Sequence, residues 1–117
     1  MTAGAARNEL WDAIYAEDYP RVQKLLETGG GERWVNEPHG AWKNTSVHVA
    51  TVKENRKILN ILIVHKGDVN AINVNGTTPL HIAVEKENRE LVQCLLQSGA
   101  KLHKRNVIPE DASALLM

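Results

Sequence analysis

Two of the five histidines, the single cysteine, a triple glycine and a short basic run are the residues of this chain whose types and spacing first suggest chemistry. His48 and His81 stand 33 positions apart. A zinc centre would draw further His, Cys or Asp ligands within a few residues of each, and none is spaced that way. Cys94 lies beside Leu95 with no base or cationic partner near it in sequence, so a packed thiol is expected rather than a nucleophile. Gly29-Gly-Gly31 lacks the following lysine and the strand-loop-helix context of a phosphate cradle, and reads instead as a flexible hairpin insertion. Lys101-Leu-His-Lys-Arg105 is short and isolated, which favours a solvated hairpin over a nucleic-acid patch. No pair of titratable groups combines motif spacing with a base-nucleophile relation, so no catalytic residue, metal or cofactor is expected.

The spacing of the two histidines belongs to a longer pattern. Thr45–Leu62 and Thr78–Leu95 are two versions of one 18-residue segment. They share eight identities: Thr45/Thr78, His48/His81, Ala50/Ala83, Lys53/Lys86, Glu54/Glu87, Asn55/Asn88, Arg56/Arg89 and Leu62/Leu95. A fixed period near 33 residues marks a stacked solenoid, in which each unit buries its apolar face only against its neighbours. The repeated Lys-Glu-Asn-Arg runs fall in a turn between two helices and carry no chemistry of their own.

The second copy supplies the detail. Thr78 can cap a helix whose first turn holds Pro79, where a missing N–H costs nothing. Leu80 is placed for burial, and Ala83 is small enough for close helix packing. Asn88 stands at the N-cap of a second helix, followed by Leu91, Val92, Leu95 and Leu96 at the spacing of one apolar face. Gly99 then ends that helix in the left-handed region that glycine reaches cheaply. The residue aligned with Gly99 in the earlier copy is Lys66, and a glycine follows one position later. A left-handed lysine would cost roughly 1 kcal/mol. The helix is therefore expected to run on one residue, with Gly67 as its terminator.

The run from Asn73 through Thr78-Pro79-Leu80-His81-Ile-Ala83 to Leu95-Leu96 and Gly99-Ala100 resembles an ankyrin repeat almost position for position. The resemblance implies an all-α ankyrin-repeat solenoid of helix-turn-helix units joined by β-hairpin loops. It also implies that His48 and His81 hydrogen-bond the neighbouring hairpin. Carried toward the N-terminus, the phase places Leu10, Ala13, Val22, Leu25 and Leu26 where Leu80, Ala83, Val92, Leu95 and Leu96 stand later. This first unit is four residues too long. Three of the extra residues lie between Leu26 and Val35 and one between Asn36 and Thr45, positions that map to loops. It lacks the Thr-Pro-Leu-His run and carries Glu9-Leu-Trp-Asp12 instead, with Asp18 and Pro20 available to start its second helix, as suits an N-terminal cap. Ile108-Pro-Glu-Asp-Ala-Ser113 resembles the start of a closing half-repeat. The expected single domain over 1–117 thus divides into a capping unit at 8–36, repeats at 37–70 and 71–103, and a C-terminal half-cap at 104–117.

Composition sets bounds. With 43% hydrophobic residues over 117 positions, the chain suits one domain and is too short for two. No apolar run approaches the roughly 18 residues of a membrane helix, and the first six residues lack the regions of a signal peptide. One cysteine cannot form an internal disulfide, so cytoplasm or nucleus is the expected location. Fourteen basic and fourteen acidic residues cancel, removing any global electrostatic case for nucleic acid or membrane.

The resemblance implies a concave face, lined by hairpin tips and the exposed flank of each first helix, whose side chains are not needed for folding. The positions that map there are Tyr15 and Ala16, then His39, Ala41, Trp42, Asn44, Val52 and Lys53, then Ile72, Val74, Asn75, Thr77, Glu85 and Lys86. Tyr15, Trp42, Asn44, Val52, Lys53, Val74, Asn75, Thr77, Glu85 and Lys86 are the candidate partner-binding residues. Several are apolar where solvent would favour polarity. Trp42 is the foremost, since tryptophan is enriched among interface hot spots. Trp34 and Trp42 both lie in the irregular stretch between units one and two, where filling space under the longer loop is the alternative use of each. A monomer that binds a protein partner, as a small adaptor or inhibitor, is the expected function. The alternative is a recognition module of a larger enzyme or scaffold.

Overall fold

The computed structural model describes residues 3–28 and 31–101, and within it six helices pair into three units. α1 (Ala3–Tyr15) and α2 (Tyr19–Glu27) form the first, α3 (Ser46–Val52) and α4 (Arg56–Val64) the second, α5 (Pro79–Glu85) and α6 (Arg89–Gln97) the third. α3 packs between α1 and α5, and α4 between α2 and α6, which gives two layers of helices. The half-cap expected at 104–117 and the basic run after Lys101 lie outside the described residues.

The helix starts follow the chemistry of the sequence. The side chains of Asp18, Asn55 and Asn88 accept from the backbone N–H of Arg21, Ile58 and Leu91 at 3.2, 3.0 and 3.1 Å. Each satisfies one of the donors that a helix N-terminus leaves open. Thr78 caps α5 in the same way, accepting from His81 N at 3.2 Å, with Pro79 as the first helical residue. Leu10, Ile14, Val22, Ile58, Leu59, Leu62, Leu80, Leu91 and Leu95 form the centre of one continuous core, each at most 1% exposed.

The turn inside each unit holds a glutamate in the left-handed region: Glu17, Glu54 and Glu87 at φ 54°, 54° and 55°. The Asn55 amide donates to the Glu17 carboxylate and the Asn88 amide to that of Glu54, both at 3.1 Å. The repeated Glu-Asn pair therefore ties each unit to the next. A second ladder runs through the loops. Asn36 donates to Lys66 O at 2.8 Å and accepts from Asp68 N at 2.7 Å. Asn70 does the same one unit later, with Gly99 O at 3.1 Å and Lys101 N at 2.8 Å.

Two loop expectations need correction. α4 does not run on to Gly67: it ends in the same register as α6, with Lys66 in the left-handed region at φ 70° and Gly99 its counterpart at φ 98°. Both ends close with the hydrogen-bond pair of a Schellman motif, Gly67 N to Leu62 O at 2.7 Å with Lys66 N to Ile63 O at 3.0 Å, and Ala100 N to Leu95 O at 2.9 Å with Gly99 N to Leu96 O at 3.1 Å. Gly67 is needed for space. A Cβ there would stand 2.7 Å from Leu62 O and 2.8 Å from Val47 Cγ2. Extending the helix would shift the loop and break both Asn36 bonds, which outweigh the roughly 1 kcal/mol of strain at Lys66. Of the first unit's insertion, expected as a flexible hairpin, Gly29 and Gly30 lie outside the described residues, and Gly31–Trp34 form a turn of 3-10 helix. Trp34 packs against the core, with the Arg33 guanidinium 5.3 Å from its ring.

Candidate functional site

Two hairpins project from the helical layers, and backbone chemistry fixes them to each other. In the first, His39 and Asn44 exchange backbone hydrogen bonds at 2.9 and 3.1 Å, with Gly40 and Lys43 supplying the left-handed positions of the turn. In the second, the Asn73 carboxamide oxygen accepts from Asn75 N and Thr77 N at 2.9 and 3.1 Å, and Gly76 takes the left-handed position at φ 75°. Val74 N donates to Trp42 O at 2.9 Å, and the Asn73 amide donates to Asn44 Oδ1 at 3.0 Å, so the two tips are held side by side.

His48 fastens this pair to the helices. Its Nδ1 accepts the Thr45 N–H at 3.1 Å, which leaves Nε2 as the protonated nitrogen that donates to Thr77 O at 2.8 Å. The ring is fully buried. Burial pushes its pKa below the ordinary imidazole value, opposed in part by the Thr77 carbonyl and the Asp68 carboxylate. A neutral His48 thus joins the start of α3 to the next unit's hairpin, the role the resemblance implies for it. The hairpin that His81 would meet lies outside the described residues.

The candidate residues divide by exposure. Trp42 is 60% exposed, Val74 57%, Ile72 54%, Tyr15 54% and Val52 44%, an unusual solvent exposure for apolar side chains of this size. Trp42, Val74 and Asn75 stand on the tips. Tyr15, Val52 and Glu85 are the last residues of α1, α3 and α5, and Lys53 and Lys86 follow directly. The Lys53 ammonium lies 5.0 Å from the Tyr15 ring, a contact across the first two units. Asn44 and Thr77 are half-buried and already engaged in the hairpin bonds described above. His39, which maps to the same face by position, is seated against the Trp11 ring at 4.4 Å between centroids. Trp34, the other tryptophan of the irregular stretch, is half-buried while Trp42 is open.

Sequence position alone did not single out Lys43. It aligns with Gly76, and both take the left-handed region, Lys43 at φ 59°. That alignment was the available signal.

The remaining candidates for chemistry have structural surroundings. Cys94 is buried, and its thiol donates to Asn60 Oδ1 at 3.0 Å. Burial pushes the thiol pKa up, with the Arg56 guanidinium opposing and Glu90 adding to the rise. A thiol held protonated is a poor nucleophile. Among the described residues no cluster of three His, Cys, Asp or Glu side chains could hold a metal ion, and no helix is long and apolar enough to cross a membrane.

A comparison with curated proteins finds no match to this sequence. The family model for ankyrin repeats, in three copies, matches residues 10–106. Its span takes in the second half of α1, the five α-helices that follow, both hairpins and the His48 bridge, and ankyrin repeats are in general protein-interaction modules. With most of its length matched by that model and its helices stacked in two layers of repeating pairs, this chain belongs to the ankyrin-repeat family.

Proposed function

We propose that this protein binds a partner protein through the face made by the two hairpin tips and the ends of α1, α3 and α5, as a small adaptor or inhibitor without catalytic activity. One observation carries the reading: Tyr15, Trp42, Val52, Ile72 and Val74 are open apolar side chains on the hairpins and first helices, while the second helices α2, α4 and α6 expose Val64 alone among large hydrophobic residues. Exposed apolar surface of this kind marks interaction sites, and buried tryptophans dominate their energetics. The tips are rigidly paired, so binding loses little ordering entropy there. Asn44 and Thr77 set the shape of the tips, and Asn75, Lys53, Glu85 and Lys86 supply the polar rim. The working layout is a capping unit at 8–36, repeats at 37–70 and 71–103 and a half-cap at 104–117, acting as a monomer in cytoplasm or nucleus.

Affinity capture from the native extract, run side by side with wild-type protein and Trp42→Ala/Val74→Ala, tests this. Proteins retained by the wild type and lost by the variant are the expected result, each then confirmed with purified components. Identical captures from both would contradict the assignment of this face.

A further inference from the structure

The tip of the first hairpin carries a local conflict between sequence and backbone. Aligned residue by residue, Trp42-Lys43 occupies the place that Asn75-Gly76 occupies one unit later. Asn-Gly is what a turn with a left-handed residue favours, because glycine takes that conformation without steric penalty. Lys43 adopts it at φ 59° and Gly76 at φ 75°. A branched or long side chain in this region is strained, and such strain persists where contacts of that residue retain it or a use outside folding does. The left-handed Glu17 and Glu54 are retained by the fold, since each accepts a hydrogen bond from the next unit's cap. Lys66 keeps its place through its carbonyl, which accepts from Asn36. The Lys43 side chain has no hydrogen bond, ion pair or ring contact among the described residues, and it is exposed, as is Trp42, its neighbour in the chain.

Resting on the binding face above, we infer that Trp42, Lys43 and Val74 form a preorganised subsite for an acidic-apolar peptide segment of the partner, with an Asp or Glu side chain meeting Lys43 and an adjacent aromatic or branched aliphatic residue covering Trp42 and Val74. The charge argument is local. Lys43 is the one cation of the two tips, and no Asp or Glu lies in 39–44 or 72–77. A carboxylate therefore finds an unpaired ammonium with no competing anion on either tip, next to apolar surface that lowers the local dielectric once covered. The Trp42 carbonyl bond to Val74 N holds the backbones that carry the two apolar side chains together before the segment arrives. An indole beside a lysine could also stack a nucleobase against its phosphate, but a single cation on the two tips, in a chain whose fourteen basic and fourteen acidic residues cancel, gives too little electrostatic attraction for nucleic acid.

The test is selection of a random dodecapeptide display library on the wild-type protein, counter-selected on Trp42→Ala/Val74→Asp, followed by titration of one enriched synthetic peptide. Enriched sequences should place Asp or Glu next to Trp, Phe, Leu or Ile. Lys43→Gly should weaken that peptide by about tenfold and Lys43→Glu by more, and the wild-type affinity should fall with added salt. Lys43→Gly should leave the melting temperature unchanged or higher, because relief of the strain offsets the greater freedom of glycine in the unfolded chain. Enrichment of neutral or basic peptides, no enrichment at all, or tighter binding of oligothymidylate than of any peptide would overturn the subsite. So would a melting temperature lowered by Lys43→Gly, which would mean the lysine is retained for folding. Loss of binding in Trp42→Ala/Val74→Asp with full binding by both Lys43 variants would overturn this subsite and leave the face intact. Full binding by all of these variants would overturn the face as well.

Discussion

Replacing Gly67 with alanine should destabilise the protein through space alone. Gly67 is outside the left-handed region, so its backbone accepts any residue. The added Cβ, however, would stand 2.7 Å from the Leu62 carbonyl oxygen and 2.8 Å from Val47 Cγ2, closer than carbon normally approaches either atom. The Leu62 carbonyl is fixed by the Gly67 N–H itself, and Val47 is fully buried between units, so neither neighbour can move freely. Overpacking of this kind costs about 1 to 3 kcal/mol. Alanine restricts the unfolded chain and returns about 0.4 to 1 kcal/mol, leaving a net loss of about 1 to 2 kcal/mol. Urea unfolding followed by far-UV circular dichroism measures it, as a lower midpoint with an unchanged slope. Adding Val47→Ala removes one of the two clashes, so the double variant should be more stable than the sum of its single losses by about 1 kcal/mol. A Gly67→Ala variant as stable as wild type, or more stable, would refute the close-approach argument and leave the glycine unexplained.

Other expected outcomes follow from the same core. Leu62→Ala and Leu95→Ala, both at fully buried positions, should each cost about 2 to 5 kcal/mol in urea unfolding, and a loss under about 0.5 kcal/mol at both would contradict the inter-unit packing. Stability should fall as pH drops below about 6.5, because the unfolded His48 binds a proton there while the folded ring, its pKa lowered by burial, resists it. The stability contributed by neutral His48 is fully present above the unfolded pKa and is lost between that value and the lower folded one. Urea midpoints measured across this window for wild type and His48→Gln should diverge in slope, the variant being flatter, and parallel curves would locate the acid sensitivity elsewhere.

The helical layers were legible because their signals are short-range. Asp18, Asn55, Thr78 and Asn88 cap helices for reasons contained within three residues of each, and the apolar spacing of α6 needs no partner to be read. The end of α4 was not legible, because glycine serves two physical purposes that look alike in a sequence. Gly99 supplies a positive φ and Gly67 supplies room, and the difference depends on Val47, twenty residues upstream of Gly67. The same limit applies on the proposed binding face. His39 maps to the hairpin by position, yet its stacking on Trp11 joins two units across the insertion, a contact no local pattern encodes. Trp34 and Trp42 are chemically equal in sequence; the turn of 3-10 helix at Gly31–Trp34 directs one to the core and leaves the other on a tip.

The most direct measurement is calorimetric titration of a validated partner into wild-type protein and Trp42→Ala/Val74→Ala, with melting temperatures taken on the same samples. The proposed binding face predicts a loss of about 2 kcal/mol or more in binding free energy with a melting temperature within a few degrees of wild type, because both side chains are exposed and leave the core unchanged when removed. Unchanged affinity for that partner would contradict the placement of the binding surface on this face and redirect attention to the Gly31–Trp34 turn and the second helices.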